Sequence, residues 1–196
     1  GAFAGTPIPS SGRTAVTGIG PAGYPTEWFT SSNFGGRFAS MLKLAGWQAV
    51  TVIGKADKPV WIDIRDGNVE IRDASETGDA LWGQGAHDAQ KRIWEIHEAE
   101  HEWRRGERRD SGNTTQRPAV VTTGAAGENM TRVASLVHDG GAGAGQGGFG
   151  GVFGSKNLKA ISVIGTGSVD VAYPSEVIEA RLWARQFGYQ PDDLKT

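Results

Sequence analysis

The chain has 196 residues, enough for one large domain or two small ones, and 38% are hydrophobic, with seven Trp and seven Phe to build a core. A net charge of −2 excludes a global basic field for nucleic acid or anionic membrane, and no apolar run approaches the roughly 18 residues of a membrane span. The absence of cysteine excludes disulfides, thiolate zinc sites and an iron–sulfur cluster ligated from within these residues, and it suits a reducing, cytoplasmic setting.

Residues 1–13 (GAFAGTPIPSSGR) are rich in Gly, Pro and Ser and read as loop. Short strands are expected over Thr14–Ile19 and Trp28–Ser32, around the turn GPAGYP. Gly36–Ala45 fits a helix stopped by Gly46. Trp47–Ile53 (WQAVTVI) reads as a strand, and Val60–Arg65 alternates like a half-buried one. Asp66-Gly67-Asn68 is a hairpin turn into Val69–Arg72. Ala86–Arg105 is the longest expected helix, with Ala86, Ala89, Ile93, Ile96 and Trp103 on one apolar stripe. A polar loop (GERRDSGNTTQRP) separates it from strands at Ala119–Thr123 and Arg132–Val137. A glycine run follows, then a strand at Leu158–Ile164 and a helix over Ser175–Phe187. Trp47, Trp61 and Trp94 read as core residues. Both ends read as cut from a longer polypeptide.

The glycine run is the unusual feature: nine of the seventeen residues His138–Gly154 are glycine. Each costs about 0.5–1 kcal/mol relative to alanine within regular structure, so such density marks a flexible linker or a backbone that something approaches closely. The sequence matches itself at an offset of 111. Gly36 then meets Gly147, Phe38 meets Phe149, and AVTVIG (49–54) meets AISVIG (160–165). Gly20–Gly23 (GPAG) similarly resembles Gly124–Gly127 (GAAG). A linker has no reason to have a twin, so the run reads as half of a two-part site. Paired loops that aim backbone N–H groups at one point suit a ligand with two phosphates, and Arg13 beside the first loop is a candidate clamp.

Other motifs carry less. Gly143–Gly148 fits G-x-G-x-x-G, but the following segment is too short for the helix, strand and acidic residue of a dinucleotide site. No phosphate-binding P-loop pattern occurs, since in GGVFGSK the serine precedes the lysine. His97–His101 (HEAEH) has zinc-protease spacing, yet no third ligand follows and Glu95, Glu98, Glu100 and Glu102 crowd the helix. It reads as a solvated helix flank.

The segments TPIPSSGR, SSNFGGRFASMLKLAGWQAVTVIGKADKPVWI, VEIRDAS with LWG, GAAGENMTRVA and GGFGGVFGSKNLKAISVIG resemble the N-terminal domain of tungsten-containing aldehyde:ferredoxin oxidoreductases. The resemblance implies an α+β fold: a β-rich, saddle-like base of two pseudo-two-fold-related sheets with a few flanking helices. It assigns 1–170 to a tungstopterin-binding domain with repeats near 15–54 and 119–165, and 171–196 to the start of a following helical segment. The implied cofactor is a tungsten or molybdenum bis-pyranopterin held by Arg13, Asn33, Phe34, Gly35, Gly36, Ala142, Gly143, Ala144, Gly145, Gln146, Gly147 and Gly148. Backbone carbonyls of Asn33 and Gly143 would hold the Mg²⁺ that bridges the pterin phosphates. A side chain at Gly35 or Gly147 would then stand in the phosphate's approach.

The family's R-A-A-G-R-G-G here reads Ala142-Gly143-Ala144-Gly145-Gln146-Gly147-Gly148, two arginines short. The 4Fe-4S cluster and catalytic proton-transfer residues would lie in later domains, so these residues alone would be inactive. Partners would be those domains, a small-molecule substrate, and ferredoxin or an electron-transfer subunit. The activity implied is aldehyde oxidation. A tungsten-dependent aromatic-ring reductase of benzoyl-CoA type and a non-enzymatic duplicated anion-binding module are the alternatives.

Overall fold

A computed structural model describes residues 1–75, 80–100 and 116–188 of the chain. Its elements run β1 (Thr14–Gly20), β2 (Trp28–Phe34), α1 (Phe38–Leu44), β3 (Val60–Arg65), β4 (Asn68–Asp73), α2 (Ala86–Ala99), β5 (Ala119–Thr122), α3 (Ala125–Glu128), β6 (Leu136–His138), β7 (Ala142–Ala144), α4 (Phe149–Ser155), β8 (Leu158–Ile164) and α5 (Pro174–Phe187). The class is α+β. The two sheets are unequal: β1 and β2 form an antiparallel hairpin, and the larger sheet has the order β4-β3-β8-β5-β6-β7. Among the described residues only β3 and β8 pair in parallel.

β8 is buried at all seven positions, which is why it reads as a nearly unbroken apolar run. One face of the sheet packs Val121, Leu136, Ile161 and Val163 against Phe34 of the hairpin, Phe38 and Met41 of α1 and Phe149 of α4. Val120, Ala160 and Trp61 meet Ile93 of α2 and Leu81 on the other. The hairpin and the glycine loops therefore lie on the face opposite α2.

α1 and α4 begin and end 111 residues apart, the offset at which the sequence matches itself. Each helix end also takes a hydrogen bond from the other half of the chain. The Ala56 N–H donates to the Lys156 carbonyl just past α4, and the Gly167 N–H donates to Leu44 at the end of α1, at 3.1 and 3.2 Å.

The structure departs from sequence expectation in several places. Trp47–Ile53 is not a strand. Its residues favour β structure, but among the described residues no ladder partner lies beside them, and that context decides the outcome. Only Val52 of this segment packs on the core, and Trp47 is half exposed with its indole N–H on the Asp66 carbonyl at 2.8 Å. The strand expected over 132–137 shrinks to Leu136–His138. GPAG lies in the turn between β1 and β2, whereas GAAG opens α3, so the two are not counterparts. α2 is described as far as Ala99, and His101, Trp103 and residues 106–115 of the polar loop lie outside the described residues.

The expected solvated flank of α2 is instead partly buried, because His97 faces the sheet. Its Nε2 lies 3.2 Å from Asp63 Oδ1, which also accepts the Ser162 hydroxyl at 2.5 Å. Arg65 and Arg72 hold the other carboxylate oxygen at 2.8 and 3.2 Å and tie it to Glu100. Asp63, His97 and Ser162 are fully buried. His97 is thus committed to an ion network, and no cluster of potential metal ligands occurs among the described residues.

Burial alone would raise the Asp63 carboxyl, but the bonds from His97 and Ser162 and the Arg65 charge hold it well below the usual carboxylate range. Its stabilising effect is therefore complete above the unfolded carboxylate's pKa of about 3.9 and lost as pH falls below that. Asp63→Ala leaves buried partners uncompensated and should cost about 3–5 kcal/mol in urea denaturation at pH 7, with a shallower loss of stability below pH 4 than the parent chain.

Candidate anion-binding site

The structure brings the two glycine-rich loops together. β2 lies beside β7. At one end of this contact Gly147 approaches Thr30 of β2. At the other, the Phe34 ring of β2 sits 5.5 Å from the His138 ring at the end of β6. Asn33, on the exposed face of β2 opposite Ala15, and Gly143, exposed on β7 opposite Val137, thus belong to neighbouring strands. The Arg13 guanidinium reaches the first loop, with Nη1 3.9 Å from where a Gly35 Cβ would stand.

His138 fastens the loops. Its ring is fully buried, Nδ1 lies 2.7 Å from the Val120 carbonyl, and Nε2 is 3.2 Å from the Arg37 backbone N–H. Nδ1–H therefore donates and Nε2 accepts, which fixes the neutral tautomer. A Cβ on Gly36, at φ +88°, would lie 2.5 Å from the His138 ring, so the first loop can sit this close only as glycine. Arg37 adds a second clasp: Nε donates to Asp139 at 2.7 Å, and the remaining nitrogens donate to the Arg117 and Pro118 carbonyls. Arg37 is spent on structure, which leaves Arg13 as the exposed cation beside the first loop.

The second loop divides its glycines between two uses. At Gly147 a Cβ would meet the Phe149 ring at 2.7 Å and the Thr30 methyl at 3.0 Å, and at Gly148 it would meet the Arg132 carbonyl at 2.0 Å. These, with Gly150 and Gly154 in α4, allow backbone to pack on backbone. Gly147 is therefore a packing glycine, not an opening for a phosphate. Gly140, Gly141 and Gly145 face open space. Among the described residues, no hydrogen bond engages the N–H groups of Gly35, Gly36, Gly145 or Gln146. Neither α1 nor α4 has a side-chain cap. Of the residues expected in the site, Phe34 and Ala144 bury their side chains in the core and offer only backbone.

Arg37, His138 and Asp139 were not among those expected residues. About 100 positions separate the two sides of this contact, so spacing carries no trace of it; the His138-Asp139 pair directly before a glycine run is the one available signal.

The chain matches the family described as aldehyde ferredoxin oxidoreductase, N-terminal domain, over residues 1–165. It belongs to that family. The tungsten-containing aldehyde ferredoxin oxidoreductase of Pyrococcus furiosus is 38% identical over 172 residues, 88% of this chain and 25% of that protein. The WOR-like subunit of an aliphatic sulfonate oxidoreductase from the same organism is 37% identical over 142 residues, 72% of this chain and 21% of that one. Among solved structures, the active site complex BamBC of benzoyl coenzyme A reductase with 1,5-dienoyl-CoA superposes with a TM-score of 0.78. It is 33% identical, over 94% of this chain and 25% of that one. The chain spans about a quarter of the length of these relatives.

Burial lowers the His138 pKa more than the Val120 carbonyl and Asp139 raise it. A group depressed in this way stabilises the fold fully above the unfolded histidine pKa of about 6.5, and this stabilisation fades as the pH falls below it. The difference in unfolding free energy between the parent chain and His138→Gln should therefore narrow from pH 7 to pH 5, read by urea denaturation at both values.

Proposed function

We propose that this chain is the cofactor-binding base of a tungsten bis-pyranopterin oxidoreductase. One observation carries the reading: in a family whose relatives contain tungsten, two exposed glycine loops lie side by side with uncommitted amides. The N–H groups of Gly35, Gly36, Gly145 and Gln146 would donate to phosphate oxygens, with Arg13 as the charged clamp. The carbonyls of Asn33 and Gly143 would meet a Mg²⁺ between the phosphates, as a hard cation prefers oxygen donors. Ala142, Phe34 and Ala144 would contribute backbone, while Gly147 and Gly148 shape the loop.

When bound, the group supplies two-electron redox chemistry, and these residues hold and orient it. On this reading residues 1–170 form the cofactor domain, a saddle of two related halves near 15–54 and 119–165, and 171–196 begin a following helical segment. The iron–sulfur cluster and proton-transfer residues belong to the rest of a longer, cytoplasmic polypeptide that passes electrons to ferredoxin or a partner subunit. Among the described residues no helix is long and apolar enough to cross a membrane.

Aldehyde oxidation is the activity favoured, on 38% identity to enzymes of that name. The benzoyl-CoA reductase likeness, with the missing loop arginines, supports ring reduction as the second reading. A full-length enzyme that reduces a viologen dye with aldehydes supports the first. One active only on a dienoyl-CoA supports the second.

Metal analysis of the full-length protein tests the site itself. Gly145→Val, which the fold accommodates without a clash, should lower tungsten occupancy at least tenfold with little change in thermal midpoint. Gly147→Val should instead lower the midpoint, because its Cβ collides with Phe149 and Thr30 and its φ of +80° disfavours a β-branched residue. Normal loading of Gly145→Val would show that this loop is not the cradle.

A further inference from the structure

β4 is the outermost strand of the larger sheet, and among the described residues it pairs only with β3. Its main chain has one occupied side and one open side. The two-residue turn Asp66-Gly67 makes Arg65 and Asn68 the closing pair, which exchanges both of its bonds. In the same register the Ala74 N–H donates to the Pro59 carbonyl at 2.9 Å. Asn68, Glu70, Arg72 and Ala74 therefore bond inward, and the N–H and C=O groups of Val69, Ile71 and Asp73 point away from the sheet.

Open edges of this kind are commonly blunted by a proline, a lysine or a bulge. β4 (NVEIRD) has none of these, and its two apolar side chains are exposed, Val69 at 49% and Ile71 at 69%. On the α2 side a groove of about 520 Å³ runs along it, lined by Glu70, Ile71, Arg72, Arg92, Ile96 and Glu100.

The charges of β4 select what can pair with it. Consider a second copy of β4 laid antiparallel across a two-fold axis, so that outward-facing groups meet. An axis at Glu70 sets Glu70 against Glu70, and an axis at Arg72 sets Arg72 against Arg72. Like charges directly opposite are destabilising. An axis at Ile71 sets Ile71 against Ile71, Val69 against Asp73, and Glu70 against Arg72 on both sides. That register matches charge with countercharge and puts the most exposed apolar side chain of the strand at the centre.

We infer that two copies of this chain associate through β4, antiparallel and two-fold about Ile71, so that their six-stranded sheets become one. Three residue pairs exchange two main-chain bonds each. Arg72 is already held by Asp63 and Glu100, with its guanidinium over the Trp61 ring. Glu70 of the second copy therefore joins an ordered cation and pays little side-chain entropy there. The candidate anion-binding site adjoins β7 at the opposite edge of the sheet, so both copies keep it open.

The chain has no cysteine, which permits a direct test by disulfide trapping. In the Ile71 register the two Ile71 Cα atoms stand about 5.5 Å apart, within disulfide range, and the two Val69 Cα atoms about 14 Å apart. One strand pair is a small interface, so the oxidation is run at up to about 1 mM chain. Ile71→Cys should form covalent dimer at least tenfold faster than Val69→Cys. Adding Glu70→Arg sets arginine against Arg72 and should remove that advantage. Equal rates at the two cysteine positions, as random collision gives, overturn the inference, and so does fast trapping that survives Glu70→Arg. Hydrogen exchange of the parent chain gives a second readout. The amides of Val69, Ile71 and Asp73 should gain protection as concentration rises, while those of Glu70 and Arg72, already bonded to β3, stay constant. No gain up to the same concentration overturns the inference. So does protection of the three that is independent of concentration, which would mean that the chain covers this edge itself.

Discussion

The His138 imidazole has one hydrogen to give and one lone pair to offer, and the fold uses both. Nδ1–H reaches back into its own sheet at Val120, and Nε2 receives the Arg37 N–H from the other half of the chain. A protonated ring would present a hydrogen where Arg37 already donates, so the neutral form is a geometric requirement as well as a result of burial. The Gly36 backbone can approach only because it has no side chain, and the Arg37 guanidinium closes over Asp139 beside it. Removing the ring takes away the Arg37 N–H acceptor and leaves the Arg37 guanidinium clasp to hold the first loop against the second. The proximity of the two loops rests on this contact together with the Arg37 clasp.

The density of glycine between His138 and Gly154 follows from two separate demands. α4 lies so close to α3 that a Cβ on Gly154 would stand 1.9 Å from the Gly127 carbonyl, and one on Gly150 would strike Ser135. Those glycines lower the intrinsic stability of the helix in return for backbone contact. Gly140, Gly141, Gly143 and Gly145 touch little and leave the outer face of the loop bare. The sequence alone cannot separate the two kinds, since the distinction depends on what lies across from each residue.

That division also marks how far the fold could be read from sequence. The β3–β4 hairpin, β5, β8 and the bodies of α1 and α5 were legible, because alternation, turn residues and apolar runs are local signals. α1 and α4 stand 111 residues apart, the offset at which the sequence matches itself. α3 and β7 escaped notice because Ala-Ala-Gly-Glu and Ala-Gly-Ala have no pattern of their own, and tertiary contacts decide their form. His97 was misread for a similar reason: on a helix crowded with Glu it looks solvated, and only the buried Asp63 and Ser162 opposite it show otherwise. In the candidate site the two loops were legible as a pair, whereas the clasp that joins them draws on residues about a hundred positions apart.

A cradle made of main-chain amides differs chemically from one lined with arginine. The second loop carries no arginine between Ala142 and Gly148, and at the junction Arg37 is paired with Asp139 and bonded to carbonyls. The loop therefore carries little formal charge besides Arg13. On the proposed reading its attraction for an anion would come from oriented N–H dipoles, which act at hydrogen-bond range and do not titrate. Salt weakens long-range attraction between exposed charges but has much less effect on such contacts. Geometry then matters more than field: the amides serve only while the loop keeps its shape. His138 and the packing glycines hold that shape, so on the proposed reading cofactor retention would depend on the same contacts that stabilise the fold.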